Sequence, residues 1–249
     1  KDNKELCLGQ MTKAIGSVPE MIYAHPMIST DNSIQSTPWP GTRTGEPASL
    51  SLGGQNVELP VIVGSEGEKA LDISRLRSGT SYITLDEGFV NTGSTTSGIT
   101  FLDGEKGILR YRGYPIEDLA ARCDFIEVAY LLIYGELPTE DELTTFRNSL
   151  SNHSMIHEDM RSFYSGFPRD APPMAIVGSV VGALSTFYQD SLDVRDPKQV
   201  EVSVHRLLAK LPTIAAYSYK KSIGQPLIYP RNDRSYCENF LQMMFAVPC

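Results

Sequence analysis

Apolar positions along the chain change their period once, near residue 114. Over residues 49–113 they alternate: Leu50 and Leu52, then Leu59, Val61 and Val63, then Ser81, Ile83 and Leu85. A period of two puts successive side chains on opposite faces of a strand, so this region predicts a small antiparallel sheet. Asp72, Ile73 and Leu76 make a short apolar patch within it, and residues 91–98 (NTGSTTSG) read as a polar loop. Ile99 to Gly113 reads as a hairpin. Ile99, Thr100, Phe101 and Leu102 lead in, Asp103-Gly104 turns, and Ile108, Leu109 and Tyr111 lead out between Gly107 and Gly113. Pro115 suits a first helical turn, and from there to residue 249 the pattern is helical. Residues 1–48 show no sustained period and end in Pro38, Pro40, Gly41, Gly45 and Pro47. They read as a disordered tail outside the fold or as a targeting or regulatory extension.

The helical part divides at its punctuation. Phe125, Val128, Ala129 and Leu132 have helix spacing. Thr139 with Glu142 is a capping box opening a helix through about Leu150. A second helix is expected over His157 to Tyr164, ended by Gly166-Phe167-Pro168. Pro172-Pro173 starts a helix to Tyr188 with a stripe of small residues, Ala175, Gly178, Ser179, Gly182 and Ala183. Small residues allow close helix approach, either as core packing or as a contact between subunits. A long helix is expected from Pro197 to Lys221. Its apolar face carries Val200, Val204, Leu207, Leu208, Leu211, Ile214 and Ala215, and Pro212 should kink it. Ser235 caps a last helix to Phe245.

Bulk composition narrows the function classes. The 249 residues are long enough for a real core, with 41% hydrophobic and 21% charged residues. A net charge of -8 argues against a nucleic-acid binder, which needs a basic field. No apolar run approaches a membrane span, and no secretory signal opens the chain. Cys7, Cys123, Cys237 and Cys249 are far apart and read as reduced thiols, so the expected location is the cytoplasm.

Local motifs for chemistry are sparse. His153 and His157 share helix spacing, but Ser154 stands where a zincin needs Glu, so no metal site is expected. Gly53-Gly54 lacks the remaining features of a phosphate loop. Arg169, Asp170, Tyr229, Arg231, Asp233 and Arg234 are polar residues near turns, read either as caps and ion pairs or as part of a binding cleft or subunit contact. Arg206 and Lys210 lie one helical turn apart, which on its own fits a solvated helix face.

One long string is specific. FLDGEKGILRYRGYPIEDLA, with SYITLDEGFVNTGSTTSGITFLDG before it and KLPTIAAYSYKKSIGQPLIYPRNDRSYCENFLQMMF after it, resembles the bacterial type II branch of the citrate synthases. The resemblance covers residues from about 50 to Cys249. It implies a multi-helical large domain preceded by a small antiparallel β region, and condensation of acetyl-CoA with oxaloacetate to give citrate and CoA. It also implies a homo-oligomer, a dimer or a hexamer, built through helices 173–188 and 197–221. The family's two catalytic His and one Asp are expected beyond Cys249, so no catalytic residue is assigned here and this stretch alone is expected to be inactive. In type II enzymes inhibited by NADH, residues matching His153, Ser154, Tyr188, Arg206 and Lys210 line the nucleotide surface. Tyr188 could stack on adenine, and Arg206 with Lys210 could neutralise a pyrophosphate. Asn152 stands where those enzymes carry Arg. The rivals are 2-methylcitrate synthase, which uses propionyl-CoA, and a non-catalytic nucleotide-binding or assembly module.

Overall fold

The structure is a computed structural model that describes residues 43–246. The expectations for residues 1–42, including that for Cys7, lie outside the described residues, as does that for Cys249. The chain divides into two compact units. One holds the described residues up to Asp124 together with Leu131–Glu136; the other holds Phe125–Tyr130 and the chain from Leu137 on.

The first unit carries three small antiparallel sheets. β1 (Arg43–Thr44), β4 (Val61–Val63) and β5 (Lys69–Leu71) form one, in the order β1-β4-β5. The paired chain therefore starts ahead of the expected boundary at residue 49, because Arg43 and Thr44 pair with Val63 and Ile62. β2 (Ala48–Leu52) and β3 (Gln55–Leu59) form a hairpin across Gly53 and Gly54. Both glycines take positive φ (56° and 85°), the geometry a two-residue turn demands. The third sheet is β6 (Thr100–Asp103), β7 (Ile108–Tyr111) and β8 (Tyr114–Pro115).

The expected 99–113 hairpin forms, with its turn placed differently. The loop is four residues long, and Gly107 rather than Gly104 takes positive φ. Asp103 Oδ1 accepts from the Glu105 and Lys106 N–H groups, which nucleates the loop. Arg112 and Gly113 then form a second tight turn with φ of 49° and 88°. Arg112 Nη2 donates to the Leu132 carbonyl at 2.8 Å, holding that turn in place.

The strand expected from Ser81, Ile83 and Leu85 does not form. The helix α1 (Leu76–Thr80) precedes it, Ser81 leaves that helix at φ 65°, and the following residues pair with no strand. Ile83 and Leu85 are 71% and 86% exposed. Alternation specifies a strand only when a partner covers one face.

The helices follow: α2 (Ile116–Arg122), α3 (Phe125–Tyr134), α4 (Glu140–His153), α5 (Met160–Ser165), α6 (Pro173–Phe187), α7 (Pro197–Ile223) and α8 (Tyr236–Phe245). The mainly helical class holds. Pro115 sits one residue outside α2 as its N-cap. Both capping boxes form: Thr139 and Ser235 each accept from the N–H three residues on, and Glu142 and Glu238 return the contact. α5 is shorter than its expectation at the N-terminal end.

The second unit is organised on α7, the 27-residue helix. Asp196 caps it through the Lys198 N–H, Pro197 occupies its first turn, and Gly224 ends it at φ 68°. Against it pack α4, α6 and α8. The core comprises Ile156, Met160 and Tyr164, then Ile176, Val180 and Leu184 of α6, then Ile214, Ala216 and Tyr217 of α7, and Met243 of α8. Tyr164 and Tyr217 meet edge to face with centroids 5.8 Å apart.

The buried face of α7 matches the apolar face read from sequence only in part: Ile214 is buried as expected. Lys210, Thr213, Ser218 and Lys220 are buried, while Val200, Leu207 and Leu211 are exposed. The buried polar groups are tolerated because each has acceptors: Lys220 donates to Gln225 Oε1 and the Ala246 carbonyl, and Ser218 to the Ile214 carbonyl. Pro212 removes the N–H that would have met the Leu208 carbonyl. The Tyr236 hydroxyl donates to that carbonyl at 2.8 Å, while its ring stacks on Phe125 at 4.9 Å. α6 likewise turns its Ile176, Val180 and Leu184 face inward and leaves Gly178, Ser179 and Gly182 exposed.

Candidate functional site

Tyr188, Arg206, Lys210, His153 and Ser154 converge in the second unit. α6 ends at Phe187, so Tyr188 falls at a helix terminus beside a short 3-10 turn, Gln189–Ser191. α7 presents Arg206 and Lys210 from one face, four residues apart. The Arg206 guanidinium carbon and the Lys210 Nζ each lie 4.8 Å from the centre of the Tyr188 ring. Two cations thus lie against one aromatic ring, an arrangement favoured where water is partly excluded.

Lys210 is not on a solvated helix face. It is 3% exposed, and its ammonium donates to the His153 carbonyl at 2.7 Å and the Met155 carbonyl at 2.5 Å. Those carbonyls belong to the chain leaving α4, where helical carbonyls lack intrahelical partners. Burial, with the Arg206 charge one turn away, holds the Lys210 pKa down to about 8. The two carbonyl bonds work in the opposite sense by favouring the charged form.

Arg206 is committed to Asp190. Nη1 and Nη2 donate to the two carboxylate oxygens at 2.6 and 2.8 Å, and Nη1 also donates to Ser191 Oγ at 2.9 Å. That bidentate contact holds the Asp190 carboxyl below its usual range, and burial raises the Tyr188 phenol.

His153 and Ser154 border the cluster through their backbones. His153 Nδ1 contacts the Ser149 carbonyl at 2.8 Å. Ser154 is turned inward: its hydroxyl donates to the Ser151 carbonyl, and its own carbonyl accepts from buried Thr213. Ser149 Oγ lies 2.8 Å from His205 Nδ1, and burial lowers the His205 pKa. Asp190, Ser191 and Thr213 were not singled out from sequence. Only the nearness of Asp190 to Tyr188 hints at it, since its partner is sixteen residues away.

The other polar residues do not form one cleft. Arg169 Nη2 donates to the Ile223 carbonyl and lies against Gly224, where a Cβ would meet it at 2.7 Å. Tyr229 donates to Glu158, beneath the Arg161 guanidinium, and Arg231 pairs with Asp233. These are local ties. His157 lies 3.6 Å from Asp159 and against Phe187. Among the described residues no three His, Cys, Asp or Glu side chains group as metal ligands, and no helix is long and apolar enough to cross a membrane.

The fold defines the class: it is mainly helical with small antiparallel sheets. The family model described as citrate synthase, C-terminal domain, matches residues 88–248. Citrate synthase 1 of Mycobacterium tuberculosis is 51% identical over 205 residues, covering 82% of this chain and 48% of that protein. The crystal structure of citrate synthase from Pyrobaculum aerophilum matches with a TM-score of 0.58 at 34% identity, over 64% of this chain and 41% of that one. Citrate synthase from Thermoplasma acidophilum, solved in a ternary complex with carboxymethyl coenzyme A and oxaloacetate, matches with a TM-score of 0.60 at 25% identity, over 65% and 42%. This chain belongs to the citrate synthase family. It spans about half the length of the curated relatives it matches.

Proposed function

We propose that this chain is the front portion of a cytoplasmic type II citrate synthase, the enzyme that joins acetyl-CoA to oxaloacetate and releases citrate and CoA. The 51% identity over 205 residues is the observation that carries this reading. Neither Cys123 nor Cys237 is in a disulfide, which suits a reducing compartment. The condensation needs a carboxylate base and two imidazoles acting on enol and ketone oxygens. His153 and His205 contact Ser149, His157 lies against Phe187 and Asp159, and none of the three stands at a position that the family resemblance assigns to catalysis. The chain by itself is therefore expected not to turn over. A thiol-release assay tests this, with acetyl-CoA or propionyl-CoA supplied beside oxaloacetate. Specific CoA release by this chain would overturn the assignment of chemistry outside it. In the full-length protein, preference for propionyl-CoA would favour 2-methylcitrate synthesis.

The same reading includes self-association through α6 and α7, as a dimer or a hexamer. Its support is the outward stripe of Gly178, Ser179 and Gly182 and the exposed Val200, Leu207 and Leu211. Light scattering that reports only monomer at micromolar concentration would count against it. The surface of His153, Ser154, Tyr188, Arg206 and Lys210 is proposed as a site for NADH acting as an allosteric inhibitor. Its support is the cation pair stacked on Tyr188, and fluorescence titration with NADH tests it. Tight binding in a full-length protein that shows no turnover would instead favour a nucleotide-binding module.

A further inference from the structure

Arg206 in this cluster already holds an anion. We propose that Asp190 is a built-in competitor that occupies the place of a ligand phosphate, so that anionic nucleotide binds only by displacing its carboxylate from Arg206. The inference rests on the nucleotide reading of this surface given above.

The geometry supports a displaceable contact. The carboxylate meets the guanidinium in the two-pronged fashion that a phosphate group also adopts. The Asp190 side chain is 66% exposed, whereas that of Arg206 is 17% exposed. The anion is thus the mobile, wet member of the pair, and the cation is fixed by Tyr188 and Ser191. Asp190 sits in a three-residue 3-10 turn, so its side chain can swing away without unwinding a long helix. The pair also leaves Arg206 incompletely satisfied, because its Nε is buried with no hydrogen-bond partner. Lys210 adds a second positive charge one turn along, bonded only to neutral carbonyls. One carboxylate against two cations leaves a net positive site, which favours a ligand of higher charge such as a diphosphate.

The test compares wild type with Asp190→Asn and Asp190→Ser, titrated with NADH by its fluorescence and competed with inorganic pyrophosphate. An exposed carboxylate can be replaced without loss of fold, and circular dichroism with a melting curve verifies that in both variants. Removal of the competitor is expected to tighten NADH and pyrophosphate by about three- to tenfold. If wild type binds and both variants bind equally or more weakly, the competitor role is overturned while the nucleotide surface stands. If neither wild type nor variants bind NADH or pyrophosphate, the nucleotide reading fails and the competitor role fails with it.

Discussion

The two units of this chain both expose large apolar side chains, and they differ in how much is buried beneath them. In the helical unit, Tyr164, Ile176, Val180, Ile214 and Tyr217 are almost wholly withdrawn from water, and the polar groups buried with them find acceptors. In the front unit, Leu59, Val61, Val63 and Leu76 are buried, but Tyr82, Ile83, Leu85, Phe89 and Val90 stand exposed in succession. The front unit buries fewer apolar side chains, Leu119 and Leu131 among them, and adds turns and side-chain-to-backbone contacts. Asp86 is the clearest case: its carboxylate accepts from the Val90 and Asn91 N–H groups and the Thr92 hydroxyl. Apolar sequence becomes core only where a second surface is present to cover it.

That contrast can be broken by truncating matched residues. Ile214→Ala is expected to cost about 2–5 kcal/mol, because the fully buried site loses transfer energy and keeps part of the cavity. Chemical denaturation followed by circular dichroism at 222 nm checks it. A cost below about 1 kcal/mol would mean that the helical core is not close-packed.

Replacing Lys210 by Met is next, at about 2–3 kcal/mol, since two carbonyls lose their donor in a buried place. The effect depends on pH. The folded-state pKa of about 8 lies below the unfolded value of 10.5, so between those limits the unfolded chain binds more protons. Wild-type stability relative to the Met variant should therefore rise as pH rises from 8 to 10, and stay level below about 7. A difference that falls over that range would contradict the burial argument.

Tyr236→Phe should cost about 1–2 kcal/mol, because the Leu208 carbonyl freed by Pro212 loses its donor. The diagnostic is a double-mutant cycle with Pro212→Ala, in which the restored helical N–H makes the Tyr236 hydroxyl dispensable. Thr139→Ala should cost about 1 kcal/mol through loss of the α4 cap. At the other end of the scale, Leu85→Ala should change stability by no more than about 0.5 kcal/mol.

The same contrast explains what could be read from sequence. Helices with strong punctuation were legible: Thr139 with Glu142, Pro172-Pro173 and Ser235 each mark a start that the structure places within a residue. Caps are local, so they survive whatever packs around them. The Ser81–Leu85 strand failed because pairing is not local. The inward face of α7 was legible at Ile214 and missed at Lys210 and Lys220, which are buried against acceptors from distant segments, His153 and Ala246. Of the residues that the family resemblance named, Arg206 and Lys210 meet Tyr188 by side chain, His153 meets Lys210 through its carbonyl, and Ser154 faces Thr213 instead. Their partners were invisible: Asp190 on Arg206 and the α4 carbonyls on Lys210 depend on tertiary geometry alone.

Native-state hydrogen exchange tests most directly whether the α7 body is the stable part of this chain and the 81–99 stretch an uncovered surface. Amides of Ile214 to Ser218 should exchange only through global unfolding, with a denaturant dependence matching the whole unit, while those of Ile83 to Val90 exchange with little protection. Comparable protection in both stretches, or rapid exchange across the middle of α7, would contradict the account.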